Sequence, residues 1–287
     1  MRRTGWACAL ALALGFISVA GVGAALSHPV LHAVGDVPAD LPAKSVRLRT
    51  ADGAPIGGWL VHGMPGAGAV LLLHGVRGDR RNMLGRARFL ARLGYSVLLI
   101  DLPAHGESVA DHITFGFNEA QGVKAALDDL RRELPGERIG VVGVSLGAAA
   151  LVLAAPEPAP AAVVLESMYP TVEEAVADRL RLHLGTLGET LAPLLLLQLP
   201  WRLGISAAQL RPIDRLPALH APVLIASGAL DRHTTLAETE RIYSVAGAPK
   251  ELWIVDGAAH VDLHAFDRVG YESKVAAFLA RYLHEPQ

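Results

Sequence analysis

The chain has 287 residues, of which 52% are hydrophobic and 19% charged, with a formal net charge of −2. This excludes a disordered chain and suits one large α/β domain or two small ones. Acidic and basic residues are interspersed, which excludes the Lys/Arg footprint of a nucleic-acid partner, and the single cysteine, Cys8, excludes an internal disulfide framework or a cysteine metal site.

Arg2 and Arg3 precede an apolar stretch from Trp6 to Leu26, and no Lys, Arg, Asp or Glu occurs between Arg3 and Asp36. A helix over this stretch spans roughly 30 Å, about the hydrocarbon thickness of a bilayer. One reading is an uncleaved signal anchor, with the two arginines in the cytoplasm and the body outside. The other is a signal peptide cut after Gly23-Ala24-Ala25, leaving a secreted or periplasmic body. The stretch is longer than a cleaved apolar region of about 7–15 residues, which favours a membrane anchor. Residues 1–34 are accordingly set apart from a body of residues 35–287. Removal of residues up to about Leu31 is expected to leave that body soluble and active.

Val34 to Pro42 reads as an extended linker. Val46 to Thr50 and Ile56 to Val61, joined by the turn signal Asp52-Gly53, predict an antiparallel hairpin at a sheet edge. Ala69 to Leu73 is a continuous apolar run, the mark of a strand buried on both faces. It ends in His74-Gly75-Val76-Arg77-Gly78. A helical pattern from Met83 to Leu93 stops at Gly94, and a second buried strand, Ser96 to Ile100, ends in Asp101-Leu102-Pro103-Ala104-His105-Gly106. Glu119 to Leu134 has helical spacing. Ile139 to Val144 is a strand, with a small-residue helix running to Ala155, and Ala162 to Leu165 is the next strand. The alternation predicts a mostly parallel sheet with helices on both faces.

Residues 170–216 interrupt the rhythm. Val172 to Leu184 predicts an amphipathic helix with Glu173, Glu174, Asp178, Arg179 and Arg181 on its wet side, and Leu191 to Leu199 is almost wholly apolar. An insertion there is read as a small helical cap offering an apolar wall to an acyl chain. Strand, helix and strand then resume at Val223 to Ser227, Thr235 to Ala246 and Glu251 to Val255, and a last helix runs from about Tyr271 to Leu283.

Gly143-Val144-Ser145-Leu146-Gly147 is a G-x-S-x-G sequence between a strand and a helix, the context in which a serine is held exposed on a sharp turn. Ser145, Asp231 and His260 follow in that order, each just past a predicted strand, where an open parallel sheet forms its crevice. A serine hydroxyl is a weak nucleophile and needs a base. His260 suits that role, and Asp231 would hold its tautomer. The alternative for Asp231 is a cap on the helix starting near Thr234. Asp256 and Asp262 flank the histidine and are weaker candidates for the acid. The N–H groups of Val76 and Leu146 are the expected oxyanion donors. His74 and His105 are read as loop-positioning residues. His260 and His264 have a spacing that suits metal, but no ligand set surrounds them, so no metal is expected. The mechanism needs no cofactor.

These segments resemble the α/β-hydrolase-fold serine hydrolases, in particular the serine aminopeptidase-like and monoglyceride-lipase-like groups. The matching stretches are Leu73-His74-Gly75, Asp101 to Ser108, Gly143 to Gly147, Gly228 to Asp231 and Gly257 to His260. The resemblance implies an α/β-hydrolase fold with a cap, catalytic roles for Ser145, Asp231 and His260, and donors at Val76 and Leu146. The expected reaction is cleavage of carboxylic esters through an acyl-serine intermediate; the apolar cap and the membrane anchor favour a small, apolar acyl substrate, and the N-terminal helix makes the membrane a partner. The alternatives are a thioesterase or an aminopeptidase or amidase with the same triad, and a non-catalytic membrane-tethered binding protein on this scaffold.

Overall fold

The computed structural model describes residues 15 and 17–284. Residues 17–27 are helical (α1), and no helix among the described residues is long and apolar enough to cross a membrane. Cys8 and the first part of the expected anchor lie outside the described residues.

Eight strands form one sheet in the order β10(Lys250–Val255), β9(Val223–Gly228), β8(Ala162–Glu166), β7(Ile139–Val144), β4(Ala69–Leu73), β5(Ser96–Ile100), β3(Pro55–Val61), β2(Ala43–Arg49). The hairpin β2–β3 is antiparallel and forms one edge, β3 runs antiparallel to β5, and every other pair is parallel. Every residue of β4, β5, β8 and β9 is buried. The two faces divide by the alternation of the strand. Leu71, Leu73, Leu98 and Ile100 meet α3(Glu119–Glu133) and α4(Leu146–Ala154), whereas Val70, Leu72, Val97 and Leu99 meet α2(Leu84–Arg92) and α11(Arg268–Leu283).

The segment before the hairpin is not separate from the body. Two-residue strand β1(Val30–Leu31) pairs with β6(His105–Gly106), Ser27 and Val34 are buried, and the Ile113 N–H donates to the Ser27 carbonyl at 2.9 Å. Helix α1 is held by side chains: Gln198 Nε2 donates to the Val19 carbonyl, and Arg202 and Arg77 donate to the carbonyls of Ala20 and Ala25, each at 2.8 Å. Gln198 and Arg202 belong to the insertion, in which α5(Val172–Leu184) and α6(Thr186–Leu196) lead into α7(Leu199–Leu203). An uncharged small-residue stretch suits lipid and apolar protein surface equally, so its hydropathy did not reveal this packing.

One buried ion cluster ties the sheet to α2 and α11. Arg86 of α2 makes a two-pronged bond to Glu166, the last residue of β8, at 3.0 and 2.6 Å. The Tyr271 hydroxyl of α11 donates to the same carboxylate at 2.5 Å, and Arg86 reaches Asp262 at 2.8 Å. Burial opposes the Arg86 charge, but the Glu166 carboxylate and its neighbours hold its pKa well above the ordinary value. Removal of the cation strands a carboxylate whose residue is 1% exposed. Arg86→Met is therefore expected to lower unfolding free energy by about 3–5 kcal/mol. Chemical denaturation with an unchanged slope and a shifted midpoint is the readout.

Candidate active site

Strand β7 passes into α4 through Ser145, whose backbone sits at φ 50° and ψ −108°. A non-glycine residue there costs on the order of 1–3 kcal/mol and persists only where its surroundings impose it. The Ser145 N–H donates to the Glu166 carbonyl at 2.8 Å. The turn also dictates the two flanking glycines. A Cβ on Gly143 would lie 2.7 Å from Ala148 Cα, and one on Gly147 would lie 2.6 Å from the Leu73 carbonyl oxygen. The G-x-S-x-G spacing is thus a steric requirement of strand, turn and helix meeting this closely.

Asp231 follows β9 and His260 follows β10. His260 Nδ1 lies 2.7 Å from Asp231 Oδ2. The other oxygen, Oδ1, accepts the N–H groups of His233 and Thr234 at 2.8 and 2.9 Å. Burial opposes the charge of Asp231, yet the hydrogen bond and charge of His260, with the two N–H groups, hold its carboxyl below the usual range. The carboxylate therefore pins its own turn and the imidazole together. Helix α9(Leu236–Val245) takes its cap from Thr235 instead. Asp256 is exposed, and Asp262 is engaged by Arg86 and caps α10(Leu263–Phe266), so neither stands beside His260 Nδ1. His264 turns away to Glu272 at 3.1 Å.

Ser145 and His260 line one cavity of about 370 Å³. No hydrogen bond joins them among the described residues, and such contacts commonly tighten only around substrate. A second cavity, about 420 Å³, opens on the other side of Ser145, with Leu26, Phe115, Val176 and Leu195 in its walls. Val76 and Leu146 line this cavity beside Ser145, and among the described residues neither N–H has an acceptor. The next N–H, of Arg77, is already bound to His105 Nε2 at 3.0 Å.

His74 and His105 hold the loops beneath. His74 Nε2 accepts the Leu102 N–H at 3.0 Å and its Nδ1 faces the Gly75 carbonyl at 2.7 Å, while His105 Nδ1 faces the Pro103 carbonyl at 2.9 Å. Burial pushes both pKa values down to about 4, and both rings are neutral at pH 7. Arg80 braces the same loops through Asp101 at 2.6 Å and Glu107 at 2.5 Å.

Several contributors to the site were not apparent in the sequence. Arg179, placed by helical spacing on the wet side of α5, lines both cavities, and Asp178, placed on the same side, is buried. His233 also lines both, its ring centroid 4.9 Å from that of His260. Val22 and Leu26 of α1 wall the larger cavity. The one available signal was the position of His233 two residues after Asp231.

A model of the alpha/beta hydrolase family matches residues 70–273. The uncharacterized protein Rv2307c of Mycobacterium tuberculosis is 34% identical over 236 residues, covering 79% of this chain and 76% of its own. YqkD of Bacillus subtilis, also uncharacterized, is 26% identical over 236 residues, covering 81% and 77%. Among solved structures, the Pyrococcus furiosus esterase Pf2001 superposes with a TM-score of 0.76 at 24% identity, covering 90% of this chain and 98% of that one. At that identity the likeness is one of fold.

Because His74 and His105 are proton-poor in the folded chain and ordinary when unfolded, the unfolded state binds more protons between about pH 4 and 6.5. Stability contributed by these rings is present above about pH 6.5 and lost as pH falls towards 4. Each is expected to remove on the order of 3 kcal/mol at pH 4. Imidazole resonances of both should hold still from pH 7.5 to 5.5 in an NMR titration; a midpoint near 6.5 for either would contradict the assignment.

Proposed function

The chain belongs to the alpha/beta hydrolase family, and on that premise we propose that it is a serine esterase that cleaves carboxylic esters through an acyl-serine intermediate. The carrying observation is the meeting of two cavities at a strained serine, with His260, itself paired with Asp231, on the wall of one and two unengaged backbone N–H groups on the wall of the other.

Ser145 Oγ attacks the ester carbonyl while His260 Nε2 takes its proton. Asp231 keeps the proton of His260 on Nδ1 and stabilises the imidazolium. Charge developing on the carbonyl oxygen is met by the N–H groups of Val76 and Leu146, which need no reorganisation. His260 returns the proton to the departing alcohol, and a water then repeats the sequence on the acyl-enzyme. The larger cavity suits the acyl chain, since its walls are mainly apolar; the smaller, lined by Asn82, Ser167 and Asp262 among others, suits the alcohol. Placement of the body outside the cytoplasm belongs to the same proposal. Its support is the uncharged run between Arg3 and Asp36.

A fluorophosphonate probe is expected to label the protein and to fail on Ser145→Ala with folding retained. Asp231→Asn should lower kcat by about 10⁴-fold on a p-nitrophenyl ester. A panel of esters, thioesters and aminoacyl amides with one acyl group separates the ester reading from thioesterase and amidase activity; turnover of the amides alone would overturn it.

Because Val22 and Leu26 contribute to the cavity wall, a chain beginning at Pro29 should lose acyl-chain discrimination. In the full chain each added methylene is expected to raise kcat/KM by about fourfold until the cavity fills. In the shortened chain the slope should fall towards unity, as read from a series of p-nitrophenyl esters of rising length.

A further inference from the structure

Four residues line both cavities: Val76, Ser145, Arg179 and His233. Arg179 is the cation at that junction. It is half-buried, and its one hydrogen bond among the described residues runs from Nη1 to the Ala175 carbonyl one turn back, at 3.0 Å. Among the described residues it makes no ion pair with a carboxylate. The guanidinium groups of Arg80 and Arg86 beside the same sheet edge are by contrast each paired with two carboxylates, Asp101 and Glu107 for the first and Glu166 and Asp262 for the second.

The surroundings sharpen the contrast. Among the described residues no Asp or Glu lines the larger cavity, whose other basic side chains are Arg77, His183 and His233. In the smaller cavity the one carboxylate is Asp262, already held by Arg86. Asp231 lies close enough to influence Arg179 but is committed to His260. Two further polar atoms on the wall of the smaller cavity, His233 Nδ1 and Ser167 Oγ, have no hydrogen-bond partner among the described residues. Burial also lowers the pKa of Arg179, whereas carboxylate partners raise those of Arg81, Arg86, Arg88 and Arg211. A partly desolvated guanidinium is costly unless a counter-charge meets it. Its planar fork matches an oxyanion held in the plane of two N–H groups.

We propose that Arg179 is the anion receptor of this cleft, and that the substrate is a carboxylic ester whose alcohol part bears a carboxylate or a phosphate beside the scissile bond. The acyl chain occupies the apolar cavity and the alcohol enters the polar one. Its anion sits against Arg179, with His233 and Ser167 as neutral partners. Arg179 binds and aligns the ester and takes no part in proton transfer. This inference rests on the reading of Ser145 as nucleophile and names the substrate class of that site.

The test uses the full chain carrying Ser145→Ala and titration calorimetry with three esters of one acyl group: butyrylglycerol, O-butyryl-lactate and butyrylglycerol 3-phosphate. At least one anionic ester is expected to bind about ten- to a hundredfold tighter than the neutral one, and the larger preference identifies the anion. Arg179→Gln should abolish the preference, and Arg179→Lys should keep part of it. In the chain that retains Ser145, the same preference should appear in KM more than in kcat. Equal binding of all three esters, binding of none, or a preference that survives Arg179→Gln overturns the proposal. The first comparison needs no substituted Arg179, so misfolding of the variants does not rescue it. Fluorophosphonate labelling of the unsubstituted chain reads the nucleophile separately. Labelling without anion preference removes the role of Arg179 alone, and anion preference without labelling removes the esterase reading while the anion site stands.

Discussion

The chain is organised around the hydrogen bond from the Ser145 N–H to the Glu166 carbonyl at the end of adjacent parallel strands. It closes the strained turn from β7 to α4, and it does so from a residue that is itself immobilised. The Glu166 side chain is clamped by Arg86 and Tyr271, so its backbone has little freedom to relax the serine. Through Arg86 the same cluster reaches Asp262, two residues beyond His260. One buried set of charges thus sets the serine turn and the histidine loop relative to each other. Such a cluster contributes little net stability compared with apolar packing, but it specifies geometry. The price is a carboxylate that tolerates no loss of its partner.

What the sequence made legible was local. Continuous apolar runs such as Ala69 to Leu73 identified buried strands because both faces of the sheet are covered. The turn signal Asp52-Gly53 identified the edge hairpin, whose register places Arg49 opposite Pro55. The glycines around Ser145 were readable because sterics of one turn dictate them. The pairing of Arg86 with Glu166 was not readable, since the two residues are 80 positions apart and each looks like an ordinary charge. Helical spacing put Asp178 and Arg179 on the solvent side of α5, but α5 is covered on more than one side, by the cavity and by α6. A period reports which side chains share a face; it is blind to how many faces are covered. The helix-cap reading of Asp231 failed because Thr235 takes that place, while the second oxygen of the carboxylate binds the N–H groups of its own turn.

Electrostatics make two of the histidines of the crevice an inert frame. His74 and His105 are buried and neutral, and each accepts a backbone N–H, so they behave as fixed polar struts. His260 alone of these rings is paired with a carboxylate. The difference is set by neighbours and not by residue type, which is why three histidines near one sheet edge have such unlike parts.

The docking of α1 bears on the order in which the protein is made. Residues Val19 and Ala20 leave the ribosome long before Gln198 and Arg202, which grip them from 179 and 182 positions downstream. At roughly 5–20 residues per second that gap lasts on the order of 10–40 s. During it Val19 and Ala20 lack these two partners, although Arg77 and Ile113, which bind the carboxyl-terminal end of the helix, emerge sooner, and the apolar helix is free to engage a chaperone, a translocation channel or a lipid surface. The pocket wall formed by Val22 and Leu26 is therefore completed by a segment with two successive environments. Its sequence must suit the first without forfeiting the second.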